Sequence, residues 1–273
     1  MAFQTGVGVQ MAEHQFRFED GAAYERMMGA WSRLVGAVFL DWVSPLPGLQ
    51  WIEVGCGSGA FTGLLCERCA PSQVQGIDPA DAQLAFARAR PGVGAAQFRQ
   101  GDATALPYSD NSFDAAVMAL VIFFVPDPAK GVAEMARVVA PGGMVMAYAW
   151  DLPGGGVPTE PIQAELRAMG LKPPVPPSVD ASRIETLREL WSGAGLVAVE
   201  TREIAVTRTF ADFNDFWTTT TKGSAGLISI LADMTSDDLG RLKERVRARL
   251  PSDAAGRITY AGRANAVKGR VPA

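Results

Sequence analysis

The chain has 273 residues, 48% of them hydrophobic, and 25 basic against 29 acidic side chains give a net charge of −4. This is enough apolar chain to bury a sizeable core without disulfide or metal staples, and the acidic balance argues against a general nucleic-acid binder, which normally shows a basic surface. Three cysteines, with no secretory leader recognisable ahead of them, predict a reducing, cytoplasmic setting.

From Ala22 to about Val43, Tyr24, Met27, Met28, Trp31, Val35, Val38, Phe39 and Trp42 recur at spacings of three and four, which predicts a helix. Ser44-Pro45-Leu46-Pro47-Gly48 ends it. Gln50 to Val54 reads as a short strand, followed by a glycine loop and a helix from about Ala60 to Cys69. Gln73 to Asp78 is a second strand. An Ala-rich helix runs from Ala80 to Arg90 and stops at Pro91-Gly92. Ala95 to Gln100 and Phe113 to Leu120 are the third and fourth strands, the latter apolar enough for burial on both faces. Ala129 to Val139 is a helix that stops at Pro141-Gly142-Gly143, and Met144 to Trp150 is a fifth strand.

Residues 151–181 are rich in Pro and Gly, with one short helix near Pro161–Met169. A helix over about Arg183–Ala194 and a strand over Leu196–Phe210 follow. Ala211–Met234 is an insertion carrying Phe213, Phe216 and Trp217. Ser236-Asp237-Asp238 caps a helix to about Leu250, and Arg257–Val271 is the last strand. The cations Arg241, Lys243, Arg245, Arg247 and Arg249 read as the solvated face of that last helix. Strand–helix alternation of this kind implies an open, mostly parallel sheet with helices on both sides. No apolar run reaches the roughly 20 residues that would cross a bilayer.

The chemistry concentrates at Glu53-Val54-Gly55-Cys56-Gly57-Ser58-Gly59. A glycine turn between strand and helix lets backbone approach a ligand and aims helix N-terminal N–H groups at its negative charge. The dinucleotide fingerprint is G-x-G-x-x-G; here the spacing is G-x-G-x-G. Asp78 ends the second strand, where an acid can accept from both ribose hydroxyls. Asp102 follows the third strand, where a carboxylate can take the exocyclic amine of a base and the next N–H, of Ala103, can serve a ring nitrogen. Three acids in register with the loop line the carboxyl edge of the sheet, where such folds bind ligands. Cys66 and Cys69 form a C-x-x-C, but the single histidine, His14, and the lack of a second Cys pair leave zinc short of ligands, so no metal is expected. Two buried helix cysteines are the simpler reading.

The stretches Glu53–Gly59, Gly76-Ile77-Asp78-Pro79, Gly101–Pro107, Asn111-Ser112-Phe113-Asp114 and Glu134–Gly143 together resemble a class I S-adenosylmethionine-dependent methyltransferase of the ubiquinone/menaquinone-biosynthesis-like (methyltransferase type 11) group, over about residues 50–150. The stretches Tyr24–Arg33 and Ala147–Asp151 resemble a bacterial subgroup of it. The resemblance implies an α/β, Rossmann-like fold: a seven-stranded, mostly parallel sheet with helices on both faces, an N-terminal helical lid and a helical insertion before the last strand. It implies one domain, 1–273, with a cap at 1–45, a cofactor core at 46–150 and a C-terminal part at 151–273 that completes the sheet and carries a substrate-side insertion.

Carried over by position, the resemblance places Gly55, Cys56, Gly57 and Gly59 against the methionine part of S-adenosylmethionine and Glu53 near its amino group. It gives Asp78 the ribose, Pro79 and Gln83 the flanks of the adenine, and Asp102 and Ala103 its edge. Ala119 and Leu120 would lie beneath the sulfonium, and Tyr24 and Trp31 would cover the cofactor unless they are core. No catalytic base stands out: His14 reads as solvated, and Tyr148 and Asp151 as either acceptor-side groups or caps of the sheet. Ala119-Leu120-Val121-Ile122-Phe123-Phe124 lacks the polar clamp of amino-methylating nucleic-acid enzymes and the cysteine of cytosine-C5 enzymes. The aromatics Phe123, Phe124, Trp150, Phe213, Phe216 and Trp217 suggest a small, partly hydrophobic methyl acceptor, although packing would also explain them. The expected partner is that acceptor, with no nucleic acid and no membrane span; a homodimer is allowed. A non-catalytic binder of the cofactor and a nicotinamide oxidoreductase are the alternatives, the G-x-G-x-G spacing and Asp102 counting against the second.

Overall fold

The computed structural model describes residues 25–273. Tyr24, His14 and the expected helix start at Ala22 lie outside the described residues. A π-helical turn, Glu25–Gly29, leads into α1 (Ala30–Val43). Helix α1 stops where Ser44 turns left-handed (φ 49°) and donates its N–H to the Leu40 carbonyl at 2.8 Å. There follow β1 (Gln50–Val54), α2 (Ala60–Cys69), β2 (Gln73–Asp78), α3 (Asp81–Ala89), β3 (Ala96–Gln100) and β4 (Phe113–Ala119). After a 3-10 turn at Ile122–Phe124 come α4 (Pro128–Val138), β5 (Val139–Trp150), α5 (Glu160–Ala168), α6 (Ile184–Gly193) and β6 (Val197–Phe210). Helices α7 (Phe213–Lys222), α8 (Ala225–Ala232) and α9 (Ser236–Arg249) precede β7 (Ile258–Arg270).

The seven strands form one sheet in the order β3-β2-β1-β4-β5-β7-β6. The pairs β1–β2, β2–β3, β1–β4 and β4–β5 are parallel, and β5–β7 is antiparallel. The order runs outward from β1 in both directions, so the switch point lies between β1 and β4, where open α/β sheets bind ligands beyond the strands' carboxyl ends. The centre of the sheet is dry. Ala115, Ala116, Val117 and Met118 of β4 are fully buried, as are Trp51, Ile52 and Val54 of β1. The expected two-sided burial of β4 holds.

Element ends follow local chemistry. Asp127 caps α4 by accepting the Lys130 N–H at 3.0 Å, with Pro128 supplying a first helical residue that needs no N–H partner. Helix α9 is capped by Thr235, which accepts the Asp238 N–H at 3.2 Å, so the cap sits one residue before the expected Ser236. Strand β5 begins at Val139 rather than Met144. Val139 already pairs with Phe113, and the Pro141-Gly142-Gly143 run that reads as a stop is absorbed as an irregularity in the β4–β5 ladder. Gly142 takes φ 79° there, and a Cβ on Gly143 would come within 2.6 Å of the Asp114 carbonyl oxygen.

The described chain clusters into two compact units. The larger comprises Gly29–Val157, Pro176–Val206 and Ala261–Ala273, and includes most of the sheet. The smaller contains residues 25–28, Pro158–Val175 and Thr207–Tyr260. Its interior is aromatic. Phe210 meets Phe216 edge-on at 5.2 Å, Phe213 tilts over Trp217 at 6.0 Å, and all four rings are buried. Packing therefore accounts for Phe213, Phe216 and Trp217. The cations of α9 are engaged rather than merely solvated. Arg245 and Arg249 pair with the buried Glu165 carboxylate at 2.6 and 2.5 Å, Arg247 lies 4.4 Å over the Phe213 ring, and Arg241 pairs with Asp238. Among the described residues no helix is long and apolar enough to cross a membrane.

Candidate functional site

Strand β1 delivers Glu53 and the glycine loop to the switch point. The loop is stitched to the end of β2. Gly55 and Cys56 donate their N–H groups to the Ile77 carbonyl at 2.7 and 3.0 Å, and Gly57 donates to Asp78 Oδ2 at 2.9 Å. All three glycines take positive φ: 78° at Gly55, 51° at Gly57 and 73° at Gly59. Their missing side chains serve different ends. A Cβ at Gly55 would lie 2.4 Å from Val121 Cγ1, and one at Gly59 would lie 3.2 Å from the Ala87 Cβ. A Cβ at Gly57 would meet nothing within 4 Å. Gly55 and Gly59 thus let the protein close on itself, while Gly57 alone borders open space.

Glu53 is fully buried. Thr62, in the first turn of α2, donates its hydroxyl to Glu53 Oε2 at 2.5 Å, while Oε1 has no partner. Burial is the main reason its pKa rises to about 8, with the nearby Asp78 carboxylate adding to the effect and Thr62 and Arg90 opposing it. Asp78 is nearly buried, and its Oδ1 accepts the Ala80 N–H at 2.9 Å. Burial raises its pKa, opposed by the hydrogen bonds from Ala80 and Gly57. Each oxygen retains a lone-pair site for a hydroxyl donor.

Further along the sheet edge, Gln83 is buried in α3 and its Oε1 lacks a partner. Pro79 is exposed, its carbonyl accepting from Gln100 Nε2 at 2.9 Å. Asp102 is exposed, and its Oδ1 closes a turn by accepting the Thr104 N–H at 2.7 Å and hydroxyl at 2.9 Å. Ala103 is half-buried beside it. At the end of β4, Ala119 is half-buried, and Leu120, the next residue, sits at φ 62°. That conformation costs a non-glycine residue roughly 1–2 kcal/mol, and such strain concentrates at functional sites. Trp31 departs from its expected covering place: it is 1% exposed, edge-on to Trp150 at 6.4 Å, and so packs in the core.

These features match known proteins. Residues 52–147 match the family described as a methyltransferase domain. The chain is 33% identical over 163 residues to a demethylmenaquinone methyltransferase of Renibacterium salmoninarum, covering 58% of this chain and 65% of that protein. It is 34% identical over 96 residues to a fatty-acid O-methyltransferase of Mycolicibacterium smegmatis, covering 35% of each. The YcgJ protein of Bacillus subtilis shares the fold with a TM-score of 0.58 at 16% identity, over 88% of this chain and 98% of that one. Residues 52–147 are a class I methyltransferase domain. The chain spans less than two thirds of the length of the curated relatives named first among its matches.

Within the methyltransferase domain, two residues invisible to the sequence reading hold the loop. Thr62 is one, and Arg90 is the other: from the end of α3 its Nε donates to the Ser58 carbonyl at 2.9 Å. The Glu134–Gly143 stretch, which carries part of the resemblance, is a clamp. Arg137 donates to Glu134 Oε1 at 2.7 Å, to the Leu106 and Tyr108 carbonyls at 3.1 and 2.8 Å, and to Asp110 at 2.8 Å. Glu134 in turn accepts the Leu106 N–H at 2.8 Å. The pair fixes the Leu106–Asp110 segment a few residues past Asp102. On the other side of the switch point, Asp151 is committed to Arg263, 2.6 Å away, and to the Gly154 N–H at 3.1 Å. Tyr148 is buried against Phe39 and Phe61. Both are accounted for as sheet-end structure. Cys66 and Cys69 are free thiols whose pKa values burial raises, which suits packing better than redox exchange.

Proposed function

We propose that the protein is an S-adenosylmethionine-dependent methyltransferase that acts on a small, partly hydrophobic acceptor. The observation that carries this reading is the alignment of three acids on consecutive neighbouring strands: Glu53 on β1, Asp78 at the end of β2 and Asp102 just past β3. The residues fit the cofactor. Two buried acceptor oxygens, Glu53 Oε1 and Gln83 Oε1, lack donors, and Gly57, hydrogen-bonded to Asp78, borders open space. An ammonium, ribose hydroxyls and an adenine amine supply donors of the kind these oxygens require.

In this reading Glu53 takes the ammonium, and Gly55, Cys56, Gly57 and Gly59 line the methionine part, Gly57 making the closest approach. Asp78 takes the ribose hydroxyls. Pro79 and Gln83 flank the adenine, and Asp102 and Ala103 read its edge. Ala119 and Leu120 lie under the sulfonium. When bound, S-adenosylmethionine supplies a methyl group on an already activated leaving group. The protein's part is alignment of that methyl with the acceptor and exclusion of water. Leu120, Ile122 and Phe123 are all buried just beyond β4 and give that region an apolar wall. The quinone and fatty-acid enzymes among the relatives support an acceptor of matching character.

Titration of the purified protein with S-adenosylmethionine and, separately, with NAD(H) tests the cofactor. We expect saturable binding of the first alone; binding of NAD(H) alone would overturn the reading. Turnover over a panel of phenols, quinols, amines and carboxylates, read as S-adenosylhomocysteine formed, tests the activity. Binding without turnover on any of them would favour a cofactor-binding protein instead.

A further inference from the structure

Among the described residues, Glu53 is a buried acid with an unsatisfied oxygen. It is fully buried, it holds a single hydrogen bond, from Thr62, and its Oε1 has none. Among the described residues no cation is within hydrogen-bonding or ion-pair distance of its carboxylate. From the loop it faces the Cys56 thiol, from β2 the Asp78 carboxylate, from α2 Thr62 and the Cys66 thiol, and from α3 the Arg90 guanidinium, which is bonded instead to Ser58. Its register neighbours on the flanking strands are Gly76 and Val117, which carry no charge. A bare carboxylate in such a place has lost its water and gained almost nothing in exchange.

We infer that Glu53 holds a proton when the site is free of ligand, and that arrival of a ligand's ammonium group at Oε1 drives this proton off to solvent. The inference rests on the cofactor reading above and goes beyond it by making cofactor capture a proton-releasing event. The balance is simple. The carboxylic acid becomes a carboxylate, the proton goes to buffer, and the ligand's amine, already protonated below its ordinary pKa of about 7.7–8.0, arrives as the cation that compensates the new charge. The elevated pKa of Glu53, about 8, agrees with a neutral acid at pH 6.5. The consequence is that affinity for an ammonium-bearing ligand rises with pH toward 8, whereas affinity for a ligand without that group does not.

The test is calorimetric titration at pH 6.5 in buffers of different ionisation enthalpy, using S-adenosylmethionine and 5′-methylthioadenosine, which lacks the amino acid portion. We expect about one proton released per S-adenosylmethionine bound and none for 5′-methylthioadenosine. In E53Q, S-adenosylmethionine should bind about tenfold or more weakly and release no proton. Failure of both ligands to bind would overturn the cofactor reading itself. Binding of S-adenosylmethionine to the wild type with no proton exchange would overturn only the present inference, as would equal release with both ligands or undiminished release from E53Q. The comparison of the two ligands on wild-type protein stands even if E53Q does not fold.

Discussion

Asp78 takes the Gly57 N–H on one oxygen and the Ala80 N–H on the other, which shapes the loop before any ligand arrives. Replacing it with alanine removes an acceptor that two hydroxyls would share and releases the loop as well. Hydrogen bonds to a charged group are worth about 1.5–3 kcal/mol, so Asp78→Ala should weaken S-adenosylmethionine binding roughly 10- to 100-fold. Calorimetric titration reads this, and unchanged affinity in a folded variant would remove Asp78 from the site. The glycines separate in the same way. Gly57→Ala has room for its Cβ and bears only the left-handed backbone cost, about 1–2 kcal/mol, so it should fold, melt somewhat lower and lose cofactor binding. Gly55→Ala drives its Cβ into Val121 as well, and should lower the melting temperature much further. Equal melting temperatures for the two variants would contradict this division of labour.

At the scale of elements, the segment after β3 is held twice: at Asp102 by its own turn and at Leu106–Asp110 by α4. Arg137→Ala removes bonds to two carbonyls and two carboxylates and leaves Glu134 with only the Leu106 N–H. With the guanidinium about one third exposed, solvent repairs part of the loss. We expect destabilisation of about 1–3 kcal/mol, read in urea melts, with a smaller loss of cofactor affinity because Asp102 keeps its own turn to Thr104. An unaltered denaturation midpoint would show that the clamp is ornamental.

Most elements were legible in the residues, because strand and helix alternate with clear breaks and the central strands, β4 above all, carry apolar runs. What was not legible is what depends on partners far along the chain. Strand β5 starts at Val139 because Phe113 pairs with it, and no local pattern announces that across Pro141-Gly142-Gly143. Arg90 reads as the end of a helix, and its bond to Ser58 joins positions 32 apart. Gly55, Gly57 and Gly59 look alike in the chain and differ only through Val121, Ala87 and open space. Trp31 and the aromatics of α7 fit both a ligand wall and a core by spacing alone, and burial places them in the cores of their own units.

For the whole molecule, the buried Glu53 makes stability depend on pH with a definite sign. Its pKa is about 8 in the folded chain against an ordinary value of 4.5. The folded form therefore keeps a proton that the unfolded form gives up. Its stabilising contribution is complete below about pH 4.5, is lost progressively as pH rises to about 8, and changes no further above that. Relative to E53Q, which cannot titrate there, the wild type should lose melting temperature between pH 5 and pH 8. Differential scanning calorimetry at the two pH values checks this, and a difference between the proteins that does not vary with pH would count against a protonated Glu53.

Strand β7 is last in the chain, yet it lies between β5 and β6. Among the described strands β6 neighbours β7 alone, so during synthesis it emerges before its sheet neighbour, and β5 keeps one open edge until Ile258–Arg270 emerges. The sheet cannot zip up in the order in which it is made. Strands β1 to β5 can assemble early, while the closing of the sheet must wait for the final strand to slot between two that are already present. A nascent chain halted before Ile258 would expose a strand edge of the kind that invites aggregation, and it is at that late step that help from a chaperone would matter most.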